Sequence, residues 1–282
     1  MMKGIACMAA VLMLTASAAT AEFDAGRLIN VIAREDGSGT RGAFVELTGV
    51  EQKIGDKKVD MTTEDAQITN NTAVMMAAVA GDSYAIGYVS LGSMNESVKA
   101  VKIEDVEATA ENVASGSYKI ARPFNIAYKA DALSELGRDF IAYIMSAEGQ
   151  AIVNDSGYVA GEDAAAYAAA AVSGKLVIAG SSSVSPVMEK LAEAYQALNT
   201  DAEIEIQTSD STTGMIAAID GSCEIGMASR ELKEAEEAEL ESIAIAMDGI
   251  AVIVNHDNPV EALSVEDICA IYTGEATSWE EI

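Results

Sequence analysis

Basic residues are scarce in this sequence. Lys and Arg number 17 against 45 Asp and Glu, a formal net charge of -28 over 282 residues. That balance excludes nucleic acid as a partner, because polyanionic backbones are held by clustered Lys and Arg. It does not exclude a small anion, since distant surface charges are screened over about 8 Å at physiological salt and a local set of N–H groups, hydroxyls and one Arg suffices. Aromatics make up only 5% of the chain and there are three prolines. This speaks against an aromatic-rich all-β sandwich and for helix-rich α/β packing. A single histidine, His256, leaves no Cys/His spacing for metal. No apolar run reaches the ~20 residues that span a bilayer.

Near its start the sequence has Lys3, then an apolar stretch from Ile5 to Leu14 and small residues ending Ala19-Thr20-Ala21. This pattern predicts a signal peptide over 1–21 and an extracytoplasmic mature protein. Cys7 lies too early to accept a lipid, so no lipid anchor is predicted. Cys223 and Cys269 remain, either as a disulfide or as two buried free thiols. The acid-rich run Glu231 to Ser242 reads as a solvated helix.

Apolar, β-branched runs at 28–33, 84–91, 175–180, 202–207 and 250–255 alternate with helical patterns at Arg41–Leu47, Asn71–Ala80, Leu133–Asn154, Pro186–Leu198, Gly214–Asp220 and Val265–Tyr272. Such alternation predicts parallel sheets with crossover helices. The Ala-rich stretch 163–174 reads as a linker or a connecting helix.

Three strand–turn–helix junctions carry the chemistry. In VIAREDGSGTRGAF (31–44), glycines admit a ligand close to the backbone, and Ser38, Gly39 and Thr40 offer donors at the positive end of a helix. Arg34, just before the turn, can add a bidentate contact to a tetrahedral oxyanion. The same logic recurs in LVIAGSSSVSPVMEKLAEAY (176–195) and QTSDSTTGMIAAI (207–219), the latter with Ser211, Thr212 and Thr213 at a helix start. Helix capping explains each junction taken singly; three in one chain point to an anion cradle. No GK[ST] follows the first turn, so it is not a nucleotide P-loop. The serine-hydrolase reading of Ser182 and Ser183 lacks the second glycine of GxSxG, and His256 would have to reach a serine to act as base. No catalytic residue, metal or cofactor is assigned.

The segments GSSSVSPVMEKLAEAY, QTSDSTTGM, EIGMASREL, GIAVIVNHDNP, IYTGEATSWEEI, AREDGSGTRGAF and AIGYVSLG resemble the phosphate-binding proteins of ABC importers, over nearly the whole mature chain. The resemblance implies a two-lobe α/β fold of the type II periplasmic-binding-protein kind, with ligand in the cleft. Relative to that family the two halves stand in permuted order, as a circular permutant or a tandem-derived chain. The implied lobes are 22–118 plus 255–282, carrying the GSGT turn, and the contiguous 119–254, which includes the 163–174 linker. The implied phosphate contacts are Arg34, Ser38, Gly39, Thr40, Ser183, Val184, Ser211 and Arg230, supported by Asp36 and Thr212. Arg230 stands where some members carry an aspartate that accepts the proton of hydrogen phosphate. Asp36, Asp210 and Glu231 are candidate substitutes, Asp36 alternatively as a salt-bridge partner of Arg34. Sulfate, molybdate or a sensor role are the alternatives to phosphate import. The implied partner is an importer permease, which would supply the only membrane association of a monomer or a domain-swapped dimer.

Overall fold

The computed structural model describes residues 23–161 and 164–282. The signal-peptide expectation, Cys7 and the first residue of the 163–174 stretch lie outside them.

The chain runs β1 (Asn30–Arg34), α1 (Gly39–Leu47), a hairpin of β2 (Glu51–Ile54) and β3 (Lys57–Asp60), β4 (Gln67–Thr69), α2 (Thr72–Ala80), β5 (Ala85–Ser90), β6 (Lys99–Ala100), β7 (Lys102–Ile103) and α3 (Ala110–Ala114). There follow β8 (Ala121–Tyr128), α4 (Glu135–Ile144), α5 (Ala147–Asp155), β9 (Gly174–Ser181), α6 (Ser185–Leu198), β10 (Ala202–Ser209), α7 (Ser211–Asp220), β11 (Ile225–Ala228) and α8 (Glu234–Glu237). The 14-residue β12 (Glu241–Val254), β13 (Ala262–Leu263) and α9 (Val265–Thr273) complete it.

Local chemistry sets these boundaries. Ser38, Asn71, Ser134, Ser146, Asp210 and Ser264 each accept a backbone N–H in the first turn of their helix, satisfying donors that a helix start leaves unpaired. On α6 the buried residues Val187, Met188, Leu191, Ala192 and Tyr195 recur at helical spacing and form the face turned to the core. Strands β5 and β11 are buried at every position, as interior strands covered on both faces must be.

The main sheet runs β10-β9-β11-β8-β12-β5-β1-β4, with β6 on the side of β12. Two parallel three-strand blocks, β10-β9-β11 and β5-β1-β4, flank an antiparallel pair, β8 and β12. β12 pairs with β8 through Gly249 and with β5 from Ile250 onward, passing from one block to the other. The apolar cores divide at the same place. One gathers residues from 29–120 and 250–279, including Phe44, Tyr88 and Tyr272; the other gathers residues from 124–246, including Phe124, Phe140 and Tyr195. The result is two α/β lobes linked by two strands.

One expectation is corrected, and one pair of alternatives is narrowed. The run 231–242 forms only the short α8, because from Glu241 the chain pairs with Tyr128 on β8; sheet pairing overrides local helix propensity. The described part of the Ala-rich stretch forms no helix or strand before β9, as a linker and not a connecting helix would. It is strapped down by Tyr167, whose hydroxyl shares the Asp139 carboxylate with Tyr195, both at 2.6 Å. Cys223 and Cys269 are both free thiols.

Candidate functional site

Four helices start at the seam between the lobes. α1 and α2 come from the first lobe, α6 and α7 from the second, and the hydroxyls at their N-termini meet. Thr40 Oγ1 lies 2.9 Å from Ser183 Oγ and 3.4 Å from Ser229 Oγ. Thr72 Oγ1 lies 3.4 Å from Ser182 Oγ and 3.3 Å from Ser183 Oγ. Ser181 and Ser211 join through Ser229 at 3.0 and 3.5 Å. All of these side chains are buried. A cavity bounded by Asn71, Thr72, Ser182 and Ser185 opens beside them.

The predicted residues fall as follows. Arg34 ends β1, is 3% exposed, and donates to Ser182 Oγ at 3.2 Å across the seam. Its plane is held by a bidentate pair with Glu35 at 2.8 and 2.7 Å. Asp36 therefore does not orient Arg34; its carboxylate is 97% exposed and pairs with Arg41. Arg41 donates to the Arg34 carbonyl at 2.8 Å and to Asp60 at 2.8 Å, bracing the turn from outside. The Arg34 backbone N–H donates to the hydroxyl of Tyr88, a phenol that burial pushes well above its ordinary range.

Ser38 caps α1, and Gly39 and Thr40 occupy its buried first turn. A Cβ on Gly39 would run into the Ser211 and Ser229 hydroxyls of the other lobe, so only glycine lets these helix starts meet. The lobes also join backbone to backbone, Thr212 N–H donating to the Gly37 carbonyl at 3.2 Å.

Ser183 lies in the cluster, whereas the side chain of Val184 is buried in the second core and its N–H donates to the Ser181 carbonyl at 3.0 Å. Ser211 accepts from the Ser229 N–H at 3.1 Å. Arg230 is turned into a bidentate pair with Glu236 at 2.7 and 2.8 Å and also donates to Thr212 Oγ1 at 3.3 Å. Burial would raise the Glu236 carboxyl, but the hydrogen bonds and charge of Arg230 outweigh it and hold the pKa below its ordinary value. None of the three substitute acceptors faces the hydroxyls unpaired: Asp36 pairs with Arg41, Asp210 caps α7 through both oxygens, and Glu231 is exposed.

Sequence reasoning missed Thr72, Ser229 and, above all, Arg122. This arginine on β8 is 3% exposed and donates to Thr40 Oγ1 at 3.0 Å, to the Ser229 carbonyl at 2.8 Å and to Asp248 at 2.6 Å. Desolvation pushes the Asp248 carboxyl up to about 6 against the opposing pull of Arg122. A signal was present: Arg122 and Asp248 are charges set among mostly apolar neighbours in their strands, and buried charges must be paired.

Chemically, the arrangement concentrates donors. Four positive helix ends, a set of hydroxyls and the Arg34 guanidinium face one buried spot, with Arg122 behind Thr40, the environment a small oxyanion requires. The single histidine is not brought to these serines: His256 is exposed and its Nε2 lies 2.8 Å from the Glu96 carbonyl oxygen. Among the described residues no group of three or more His, Cys, Asp and Glu could hold a metal ion.

Known proteins are similar to this chain over most of its length. A family model described as a PBP superfamily domain matches residues 19–148 and 165–281. Phosphate-binding protein PstS 2 of Streptococcus agalactiae serotype V is 53% identical over 256 residues, covering 90% of this chain and 87% of that protein. PstS 2 of Streptococcus pneumoniae serotype 4 is 45% identical over 265 residues, covering 94% and 91%. The crystal structure of a phosphate-binding protein of a phosphate ABC transporter from S. pneumoniae TIGR4 superposes with a TM-score of 0.72 at 46% identity, over 90% of this chain and 99% of that one.

Proposed function

The chain belongs to the PBP superfamily and, within it, to the phosphate-binding proteins of phosphate ABC transporters, and from that membership we propose that it captures inorganic phosphate outside the cytoplasm for delivery to an importer permease. The observation that carries this reading is the meeting of four helix N-termini, with Arg34 and the Thr40, Thr72, Ser182 and Ser183 hydroxyls, at the seam of two lobes. Each lobe supplies part of the donors, so a bound oxyanion gains its full set only when the lobes are together. Binding then favours the closed arrangement by differential contacts, and closure is the signal a permease reads. Hydroxyls, amides and guanidinium groups bind and release without bond-making, in keeping with relatives named as binding proteins of transporters. No described helix is long and apolar enough to cross a membrane.

A second reading, capture of other tetrahedral oxyanions such as sulfate or molybdate, is favoured by one observation. Asp36, Asp210 and Glu231 are each capped, paired or exposed, so none stands ready to accept the proton that distinguishes hydrogen phosphate from sulfate.

Thermal unfolding with each anion separates the readings. A ligand at 100 times its Kd adds about 2.7 kcal/mol of stability. Phosphate alone is expected to raise the Tm at micromolar concentrations; equal shifts with sulfate support the second reading, and no shift with any oxyanion rejects both.

A further inference from the structure

A charged pair is sealed between the two strands that link the lobes, directly beneath the hydroxyl cluster. The side chains of Arg122 on β8 and Asp248 on β12 are 2% and 0% exposed, with Nη1 and Oδ2 2.6 Å apart. The guanidinium uses three edges at once. Nε donates to the Ser229 carbonyl in the second lobe, Nη1 to Asp248, and Nη2 to Thr40 Oγ1 at the start of α1 in the first lobe. One hinge-borne side chain therefore touches both lobes and the strand opposite.

The polarity of the contact to Thr40 matters. A guanidinium can only donate, whereas a hydroxyl both donates and accepts. With Arg122 filling one lone pair, the Thr40 proton must point elsewhere, and its neighbours are Ser183 Oγ at 2.9 Å and Ser229 Oγ at 3.4 Å. A hydroxyl free to rotate would spend part of its time presenting lone pairs to an anion. One polarised by Arg122 presents its proton.

We propose that Arg122, held in place by Asp248, is a positioning residue that fixes Thr40 as a hydrogen-bond donor toward the bound oxyanion, raising affinity without touching the ligand. This rests on the phosphate-binding reading. The rival explanation is that the pair only ties β8 to β12, and a buried pair tells little about its role by itself.

A double-mutant cycle decides between them, with phosphate affinity of the full chain measured by calorimetry. Arg122→Gln combined with Asp248→Asn replaces the ion pair by a neutral hydrogen-bonding pair of similar volume, leaving no lone buried charge. Thr40→Val removes the hydroxyl at nearly constant shape. Each change is expected to weaken phosphate binding about 10- to 100-fold, the range for a hydrogen bond involving a charged group. All three substitutions together are expected to bind no more weakly than Thr40→Val alone, because Arg122 acts through Thr40. Independent, multiplying losses would overturn the inference, as would wild-type affinity in the Gln/Asn variant. If that variant does not fold, Arg122→Lys keeps the charge and the strand tie but loses the fork that reaches Thr40. It is expected to weaken binding at unchanged circular dichroism, and unchanged affinity would overturn the proposal. Failure of the wild-type chain to bind phosphate would overturn the phosphate reading and this inference with it.

Discussion

At the scale of single residues, glycine and buried charge decide the site. Gly39 is one of the points at which the two lobes touch, and a methyl group there meets the Ser211 and Ser229 hydroxyls. Gly39→Ala is expected to weaken phosphate binding at least 10-fold while changing the urea midpoint of the ligand-free protein little, since the clash exists only when the lobes are together. A large loss of ligand-free stability would show that Gly39 serves folding instead. Asp248 gives a pH signature. Its folded pKa is raised, so between the ordinary carboxylate range near 4 and about 6 the folded chain holds a proton that the unfolded chain has released. Stability contributed by this group therefore falls as pH rises through that window. The stability difference between wild type and Asp248→Asn, from urea unfolding at pH 4 to 7, is expected to fall from pH 4 to 6 and then level off; a difference that grows with pH contradicts the burial account. Much of the site was legible at this scale. Ser38, Thr40, Ser183 and Ser211 could be named from strand–turn–helix patterns because capping chemistry and anion chemistry use the same residues. The partner of Arg34 was not legible, because Glu35 and Asp36 are equally acidic neighbours and only the turn geometry turns Glu35 toward the guanidinium.

At the scale of elements, helix starts do two jobs. Ser38 accepts the Arg41 N–H and fixes where α1 begins, and through α1 it places Thr40 against Ser183. Ser38→Ala is expected to cost about 1 kcal/mol in urea unfolding and to weaken phosphate binding as well; a stability loss with unchanged affinity would assign it to capping alone. Apolar strands and amphipathic helices were readable from periodicity, and α6 begins one residue before its predicted start. The run 231–242 was not, because its helix-forming composition yields to a strand partner, β8, more than a hundred residues earlier in the chain. Arg122 escaped for a related reason: in a strand read only as a crossing between lobes, nothing local says that the arginine ends beneath Thr40.

At the scale of the molecule, the first and last described segments run together. Glu280 N–H donates to the Ala25 carbonyl at 2.9 Å, and Ile29 N–H to the Thr277 carbonyl at 2.8 Å. The segment 164–173, strapped by Tyr167, lies at the start of the second of the two blocks that match the family model. If the order of halves is a permutation, a chain with residues 174–282 placed first and joined by a short linker to 23–161 is expected to fold with the same circular dichroism and bind phosphate equally well, since new ends fall beside a mostly exposed segment without helix or strand. Loss of folding in that rearranged chain would show that 164–173 is needed as a continuous strap.

The central claim is capture of phosphate between the lobes, and isothermal titration of phosphate into wild-type and Arg34→Ala protein tests it most directly. The account predicts saturable one-to-one binding by the wild type, and at least about 100-fold weaker binding by the variant through loss of its charged donors at the seam. Absence of wild-type binding, or equal affinity in the two proteins, would contradict it.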